Sequence, residues 1–476
     1  MADGDEARPE PPPARGGDAR ARLRVGVASV VVDVPVGTTL SGFAARSSGS
    51  SGVHDPCTVR ALAVGETCWV AVDVCALHED TCAEIEAASG MGPGHAAVTA
   101  THTHSGPACT PGRLAGDDAA IRRGVVAAAV SAAAAARESR EPMTLRHSAT
   151  RAVGVAVNRR DPSQAIDPPI DLVSFERADG SVRAWLVSYP CHPVVLSADN
   201  LLVSGDYVHF LRDELELSAP GSVALFLPGT AGDVNNGHPA EASFGDAPQA
   251  GRTFTEAERI GRHLARSALA STRRIVAPDA AVAEPDAAVA EAAAVAAVAA
   301  VAEPAYGPVI GWSASARRLR LRLRTLDAVA PGILASRWEE RARAAGRGEA
   351  ALLRAWVEWA GQREEDEPMT WEARVTSMRW GALTLIGLPG EPFHSCAEIV
   401  HDAVRSGRHA QGHPPGPIIV TGYTSGCPGY LPEASAYAKG GYEVVDAHRY
   451  YGMPAPFAQG SVEALQAVAV QLALGR

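Results

Sequence analysis

Apolar and polar positions fall into recognisable periods from Leu23 onward. The stretch LRVGVASVVVDV (23–34) alternates and carries β-branched residues, which predicts a strand. TVRALAV (58–64) and CWVAVDV (68–74) predict two more, joined by a turn at Gly65-Glu66. AAVTATHTHSGP (96–107) starts as a strand and breaks at Gly106-Pro107. Asp117 to Ala136 reads as an Ala-rich helix. LVSFER (172–177) and VRAWLVSY (182–189) predict a hairpin around Asp179-Gly180. A helix over 206–217, a strand over 223–229 and an amphipathic helix from Thr255 to Ser271 follow. ARRLRLRLR (316–324) puts Leu on one face and Arg on the other, and two charged helices cover about 332–362. Strands over 371–379 and 382–387 form a second hairpin, and a helix starts at His394. The C-terminal part reads as a strand (417–420), a long Gly/Tyr-rich loop and a helix from Ser461 to Leu474. No internal repeat or clean boundary divides the chain. The expected fold is therefore one large mixed-sheet α/β domain over residues 21–476, with a disordered tail over 1–20. A low-complexity Ala-rich insertion near 277–304 carries no chemistry.

Composition narrows the class. Of 476 residues, 46 % are apolar and 20 % charged, enough for a sizeable core and incompatible with wholesale disorder. The net charge of −11 argues against nucleic acid or an anionic membrane as partner, since both require a basic surface. No apolar run has a membrane-spanning pattern. The first residues, MADGDEARPEPPPARGG, are acidic and Pro-rich and do not read as a signal peptide, so a cytoplasmic location is expected. Eight scattered cysteines without a CxxC pair fit reduced thiols better than a disulfide framework. The single lysine, Lys439, leaves almost no place for a phosphate-loop lysine or a Schiff base.

Four local features carry candidate chemistry. In Thr101-His102-Thr103-His104-Ser105-Gly106-Pro107, two His at i and i+2 near a strand end point to one face. They either ligate a metal or cap a loop through ordinary hydrogen bonds. His192, in Tyr189-Pro190-Cys191-His192-Pro193, lies between a strand end and a proline, either structural or ligating. Glu391, in Gly387-Leu388-Pro389-Gly390-Glu391-Pro392, is either a neighbour of a helix N-terminus or a ligand. Tyr430, Tyr437 and Tyr442 put three of nine tyrosines into thirteen loop residues. A Cys–His nucleophile at Cys427 or Cys191 lacks an activating third group. The glycines of 229–237 lack the lysine of a phosphate loop.

In this order, with Ser204-Gly205-Asp206-Tyr207 and a Gly-Asp loop between them, these motifs resemble the neutral ceramidase family over residues 23 to 460. The resemblance implies a zinc-dependent amidase with a large α/β catalytic domain. It implies His102, His192, Glu391 and Tyr430 as zinc ligands, a set of N and O donors suited to that ion. It implies His104 near the substrate carbonyl, and Arg159 and Tyr442 as groups that stabilise an oxyanion. The spacing of twelve between the two family tyrosines is kept.

Two departures shape the expected function. The position of the family serine falls on Asn235, and an amide cannot be a nucleophile, though it can donate to an oxyanion or hold a substrate. Thr230 is the nearest hydroxyl, five residues away. The resemblance also implies a further immunoglobulin-like domain in the family, which this chain is expected to lack. The expectation is a zinc-dependent hydrolase of a C–N amide bond in a small soluble N-acyl compound or biosynthetic intermediate, in which water on zinc attacks. An amide-forming or cyclising role, or a binding protein on the same scaffold, is the alternative. The mouth of the site, from loops 105–115, 158–169, 229–250 and 423–455, is expected to be polar or mixed.

Overall fold

The computed structural model describes residues 23–113, 116–240, 251–276, 311–324, 331–363 and 369–476. The expected tail and the 277–304 insertion lie outside them. In chain order the main elements are β1 (Leu23–Val31), β2 (Thr58–Val64), β3 (Thr67–Val72), α1 (Glu79–Ala88), β4 (Ala96–Ala100), α2 (Ala119–Glu138), β5 (Glu141–Arg151) and β6 (Pro169–Glu176). They continue with β7 (Val182–Ser188), α3 (Tyr207–Ser218), β8 (Val223–Leu227), α4 (Phe254–Val276), β9 (Trp312–Arg322), α5 (Pro331–Ala344) and α6 (Arg347–Gly361). The last are β10 (Thr370–Trp380), β11 (Leu383–Gly387), α7 (Ser395–Ala410), β12 (Ile418–Thr421), α8 (Tyr442–Val445), α9 (Ala447–Tyr450) and α10 (Ser461–Ala473).

The strands form two large mixed sheets. One has eight strands in the order β8-β7-β6-β5-β1-β2-β3-β4; the other has four, β9-β10-β11-β12. The sheets face each other across a core that includes Trp69, Phe175, Leu186 and Leu225 of the first and Trp380 and Leu385 of the second. Buried indoles need partners for their N–H. Trp380 Nε1 finds Thr67 Oγ1 of the opposite sheet at 2.8 Å, and Trp69 Nε1 finds Thr99 Oγ1 at 2.9 Å. The outer face of the large sheet is covered by α2 at one end and by α3 and α4 at the other, and α7 and α10 cover the smaller sheet.

Helix α2 shows how composition sets packing. Asp118 caps it by accepting from the N–H groups of Ala120 and Ile121. Ile121, Val125, Ala129, Ala132 and Ala136 then form a stripe at helical spacing that packs on β1, β2 and β3. By length and composition alone this helix is apolar enough to cross a membrane.

The expected Gly/Tyr-rich loop contains the short helices α8 and α9, and two longer elements also go unannounced by the sequence pattern. Helix α1 buries only Thr81, Cys82 and Ile85, and β5 buries only Met143 and Ser148. Neither leaves a clean period to read.

Most strand pairs are antiparallel, and three neighbours in the large sheets are parallel: β3/β4, β7/β8 and β11/β12. The first two pairs form the opposite edges of the eight-stranded sheet. In α/β folds ligands gather beyond the carboxyl ends of parallel strands. The chain leaves β4 into His102, β7 into His192, and β11 into Glu391.

Candidate metal centre and cleft

The three residues that follow these strands meet. One donor atom from each of His102, His192 and Glu391 lies within 4.8 Å of the others, and all three residues are buried. Glu391 Oε2 is 3.0 Å from His192 Nε2 and 3.4 Å from His102 Nε2. Each imidazole is oriented from behind by a backbone carbonyl, which only accepts. His102 Nδ1–H donates to Cys75 O at 2.5 Å, and His192 Nδ1–H to Val234 O at 3.0 Å. Both Nε2 lone pairs therefore turn toward Glu391, the arrangement a metal-ligating histidine adopts. Burial opposes ionisation of Glu391, but His102 and His192 hold it well below the usual carboxylate range. Burial likewise opposes a charge on His102, yet Glu391 lifts it to about 10, while burial and Arg159 push His192 down to about 4. The group thus brings two imidazole Nε2 atoms and a carboxylate oxygen to one buried point, where a cation would balance the carboxylate. The donor set fits zinc.

The two His of the HTH motif come together by a route the strand alternation did not foresee. β4 ends at Ala100, and His102 has φ +67, in the left-handed region. Its N–H donates to Val74 O at 3.0 Å, which holds this conformation at a cost of about 1–3 kcal/mol. His104 then turns back, its Nε2 3.2 Å from His102 Nε2 and its ring edge-on to Phe43. Burial and the two other imidazoles hold His104 well below the usual range, so it is neutral. Gly42 makes room for it: with φ +105, a Cβ there would lie 2.5 Å from His104 Cγ.

Tyrosines surround the carboxylate. Tyr430, adjacent to Glu391 through a short parallel bridge, engages Arg159 through its side chain and lies under that guanidinium, 5.3 Å from Cζ to ring centre. The hydroxyls that donate to Glu391 are those of Tyr451 and, at 3.4 Å, Tyr423. Neither stood out in the sequence. Tyr423 follows β12 as Glu391 follows β11, so its place at the end of a parallel pair was a usable signal. Tyr423 also has φ +56, and its backbone ties Gly390 O to Ala100 N–H. Tyr442 stacks edge-on to Tyr430 at 6.1 Å. Arg159 Nε donates to Glu443 Oε1 at 3.0 Å and Nη2 to Gly232 O at 2.9 Å.

The 229–237 loop lies against this group because Gly232 has no side chain; a Cβ would meet Glu391 O at 2.4 Å. Asn235 lines the cleft, but its carboxamide is taken up by its own turn. Oδ1 accepts from the N–H groups of Gly237 and His238, and Nδ2 donates to His238 O. Thr230 donates to His394 O and Cys427 Sγ lies 3.9 Å from Glu391 Oε1, its thiol driven well up by burial and that carboxylate. Neither is an activated nucleophile. Cys191 is likewise raised by burial, and all eight cysteines are unpaired and buried.

The cleft over the centre has about 30 Å³ of free volume and is lined by His104, Arg159, Asn235, Arg252 and Tyr442 among others. A larger cavity, about 470 Å³, lies beside Arg408 and the end of α10, away from these groups. The cleft, not the larger cavity, is where the chemistry converges.

No protein-family model matches the sequence, and no curated protein matches it. Solved structures do. The neutral ceramidase from Pseudomonas aeruginosa matches with a TM-score of 0.69 at 16 % identity, over 96 % of this chain and 74 % of that one. A ceramidase complexed with C2 matches at 0.68 and 17 %, over 96 % and 75 %. The chain has the ceramidase fold.

Proposed function

We propose that this protein is a zinc-dependent amidohydrolase acting on a small, soluble N-acyl compound in the cytoplasm. The observation that carries the reading is the buried His102–His192–Glu391 group, with both Nε2 atoms oriented by carbonyls, at the ends of three parallel strand pairs in a ceramidase fold. These three residues would hold the ion, with Tyr430 as fourth donor on the resemblance and the Tyr423 and Tyr451 hydroxyls bracing Glu391. Zinc supplies Lewis acidity toward an amide carbonyl and acidifies water.

The other roles belong to the chain. Neutral His104 accepts a proton beside the scissile bond, and Arg159, fixed by Glu443 and Gly232, directs positive charge at a developing oxyanion together with the Tyr442 hydroxyl. Preorganised donors of this kind contribute about 3–4 kcal/mol each. Asn235 shapes the loop and needs no serine chemistry. The small cleft and the net charge of −11 favour soluble substrates over bilayer lipid.

Elemental analysis of freshly purified protein, joined to hydrolysis assays on short-chain amides and on long-chain ceramide in detergent, tests this. Zinc at about one ion per chain and cleavage of short amides, both lost in Glu391→Gln, are expected. Metal-free protein that cleaves no amide would overturn the reading, and ceramide turnover equal to that of short amides would overturn the substrate class.

A further inference from the structure

We propose that the cavity beside the end of α10 is a second binding site, separate from the candidate centre, for a carboxylate that carries a short apolar chain. The cavity holds about 470 Å³, within the range of about 300–1,000 Å³ that small-molecule sites occupy. Its floor is one face of the four-stranded sheet. Residues directly opposite on neighbouring strands share a face, and Ser313 pairs with Arg379, which pairs in turn with Thr384. The next row sets Ser315 against Ser377. Further along the same face stand Leu321, Ala373 and Val375, packed in one core with Leu465 and Ala469 of α10. The face thus changes from apolar to hydroxylated where that helix stops, at Ala473. Contact with solvent does not account for the change, since Ser377 is 5 % exposed and Thr384 1 %.

The walls have the opposite character. Leu472 and Leu474 at the end of α10, and Pro414 and Pro415 in the loop after α7, line the space with carbon. On the floor, Thr384 Oγ1 accepts from Arg408, whereas the hydroxyls of Ser313, Ser315 and Ser377 bond to no described residue. Arg379 donates from Nε to Gly381 O at 3.2 Å, and its side chain borders the same floor. No Asp or Glu is among the described lining residues. Hydroxyls donate and accept, while a guanidinium only donates. A ligand head that accepts several hydrogen bonds is matched here, and an ammonium, which only donates, is not. The two oxygens of a carboxylate meet the serine hydroxyls and the guanidinium, and an aliphatic chain behind them meets the leucine and proline walls. The place in the fold separates this site from the other: Thr384 lies at the start of β11, and Glu391 lies beyond its far end at Gly387.

The test titrates the full chain with hexanoate, hexan-1-ol and hexylamine, three probes with one chain and different heads, and follows binding by calorimetry. Hexanoate is expected to bind at least about tenfold tighter than hexylamine, with hexan-1-ol between them. Shortening the acid to butanoate should weaken binding by about fourfold for each CH₂ removed. Arg379→Gln, at an exposed position, should bring hexanoate to the level of hexan-1-ol. Ala473→Phe puts a ring into the cavity and should abolish binding of all three probes, with a thermal melt to show that the variant is folded; if it is not, Arg379→Gln decides. Glu391→Gln should leave hexanoate binding unchanged. A wild-type chain that takes hexanoate no more tightly than hexylamine would overturn the proposal. So would hexanoate binding that survives Ala473→Phe in the folded variant, a preference for the acid that Arg379→Gln leaves intact, or binding lost in Glu391→Gln, which would put the acid at the candidate centre instead.

Discussion

Replacing Asp73 with Asn probes the join between the fold and the candidate centre. Asp73 follows β3 and is 1 % exposed. Its Oδ1 accepts from Arg212 Nη1 at 2.8 Å and Thr101 Oγ1 at 3.1 Å. Its Oδ2 accepts from Arg212 Nη2 at 2.8 Å, Thr58 N–H at 3.0 Å and Thr58 Oγ1 at 2.6 Å. An Asn keeps one acceptor oxygen and turns an NH₂ toward donors, leaving the buried Arg212 charge uncompensated. Breaking one side of such a pair costs about 3–5 kcal/mol, a large part of a typical 5–15 kcal/mol stability. Removing both charges costs less than the sum of the single changes, so Asp73→Asn/Arg212→Met should be less destabilised than additivity predicts. Urea unfolding followed by tryptophan fluorescence measures all three variants. Burial alone would raise the Asp73 carboxyl, but Arg212 holds it below its ordinary value. A depressed folded pKa gives stability that is present above the unfolded value of about 3.9 and is lost as pH falls through the folded one. The gap between wild type and Asp73→Asn should therefore be full at neutral pH and shrink below about pH 4. Zinc affinity should fall as well, because Thr101 precedes His102. A cost under about 1 kcal/mol at pH 7, or a gap that does not change with pH, would refute this reasoning.

Gly42→Ala should cut turnover while leaving zinc content near normal, since its methyl displaces His104 and not the three donors; metal analysis beside kinetics checks it. Arg449→Met should cost about 2 kcal/mol, read by thermal shift, because the guanidinium lies 4.8 to 5.6 Å from the ring centres of Trp338, Trp356 and Trp359. Turnover should drop with it, since Arg449 precedes Tyr450 and Tyr451, and Arg449→Lys should recover part of both. Asn235→Ser should not raise activity, and mass spectrometry of stalled reactions should find no acyl adduct on the chain; an adduct at residue 235, Thr230 or Cys427 would contradict attack by water.

Much of the site was legible because each donor sits where a periodic strand stops at Gly or Pro. His192 and Glu391 announced themselves that way, and His102 did so two residues past its strand. What the pattern could not carry was convergence. Nothing local says that the strand before Glu391 belongs to a second sheet, or that the two edges of the first sheet each bring a histidine to it. Tyr451 was hidden for a related reason: it stands in a loop without period, held by the α5–α6 tryptophans through Arg449. Asn235 was read as a group facing substrate, although Asn-Asn-Gly is itself turn chemistry and the carboxamide closes that turn. Helix α1 and strand β5 were missed because so few of their positions are buried.

The way the two sheets share the donor group has a consequence for the life of the chain during synthesis. His192 and Glu391 are 199 residues apart. When the ribosome has delivered the eight-stranded sheet, both histidines exist, but the carboxylate that completes the trio does not. A two-imidazole site on the nascent chain would hold zinc weakly and release it. If the trio holds zinc as proposed, the ion would be retained only after β11 has emerged and docked, and from then on it would tie the two sheets like a rivet. At a free concentration a thousandfold above its dissociation constant, that tie adds about 4 kcal/mol to the assembled state and nothing to the partly made one. On the zinc reading, capture of the metal would thus be a late event that marks a correctly closed molecule, and a cell short of zinc would accumulate chains that are finished but loosely joined.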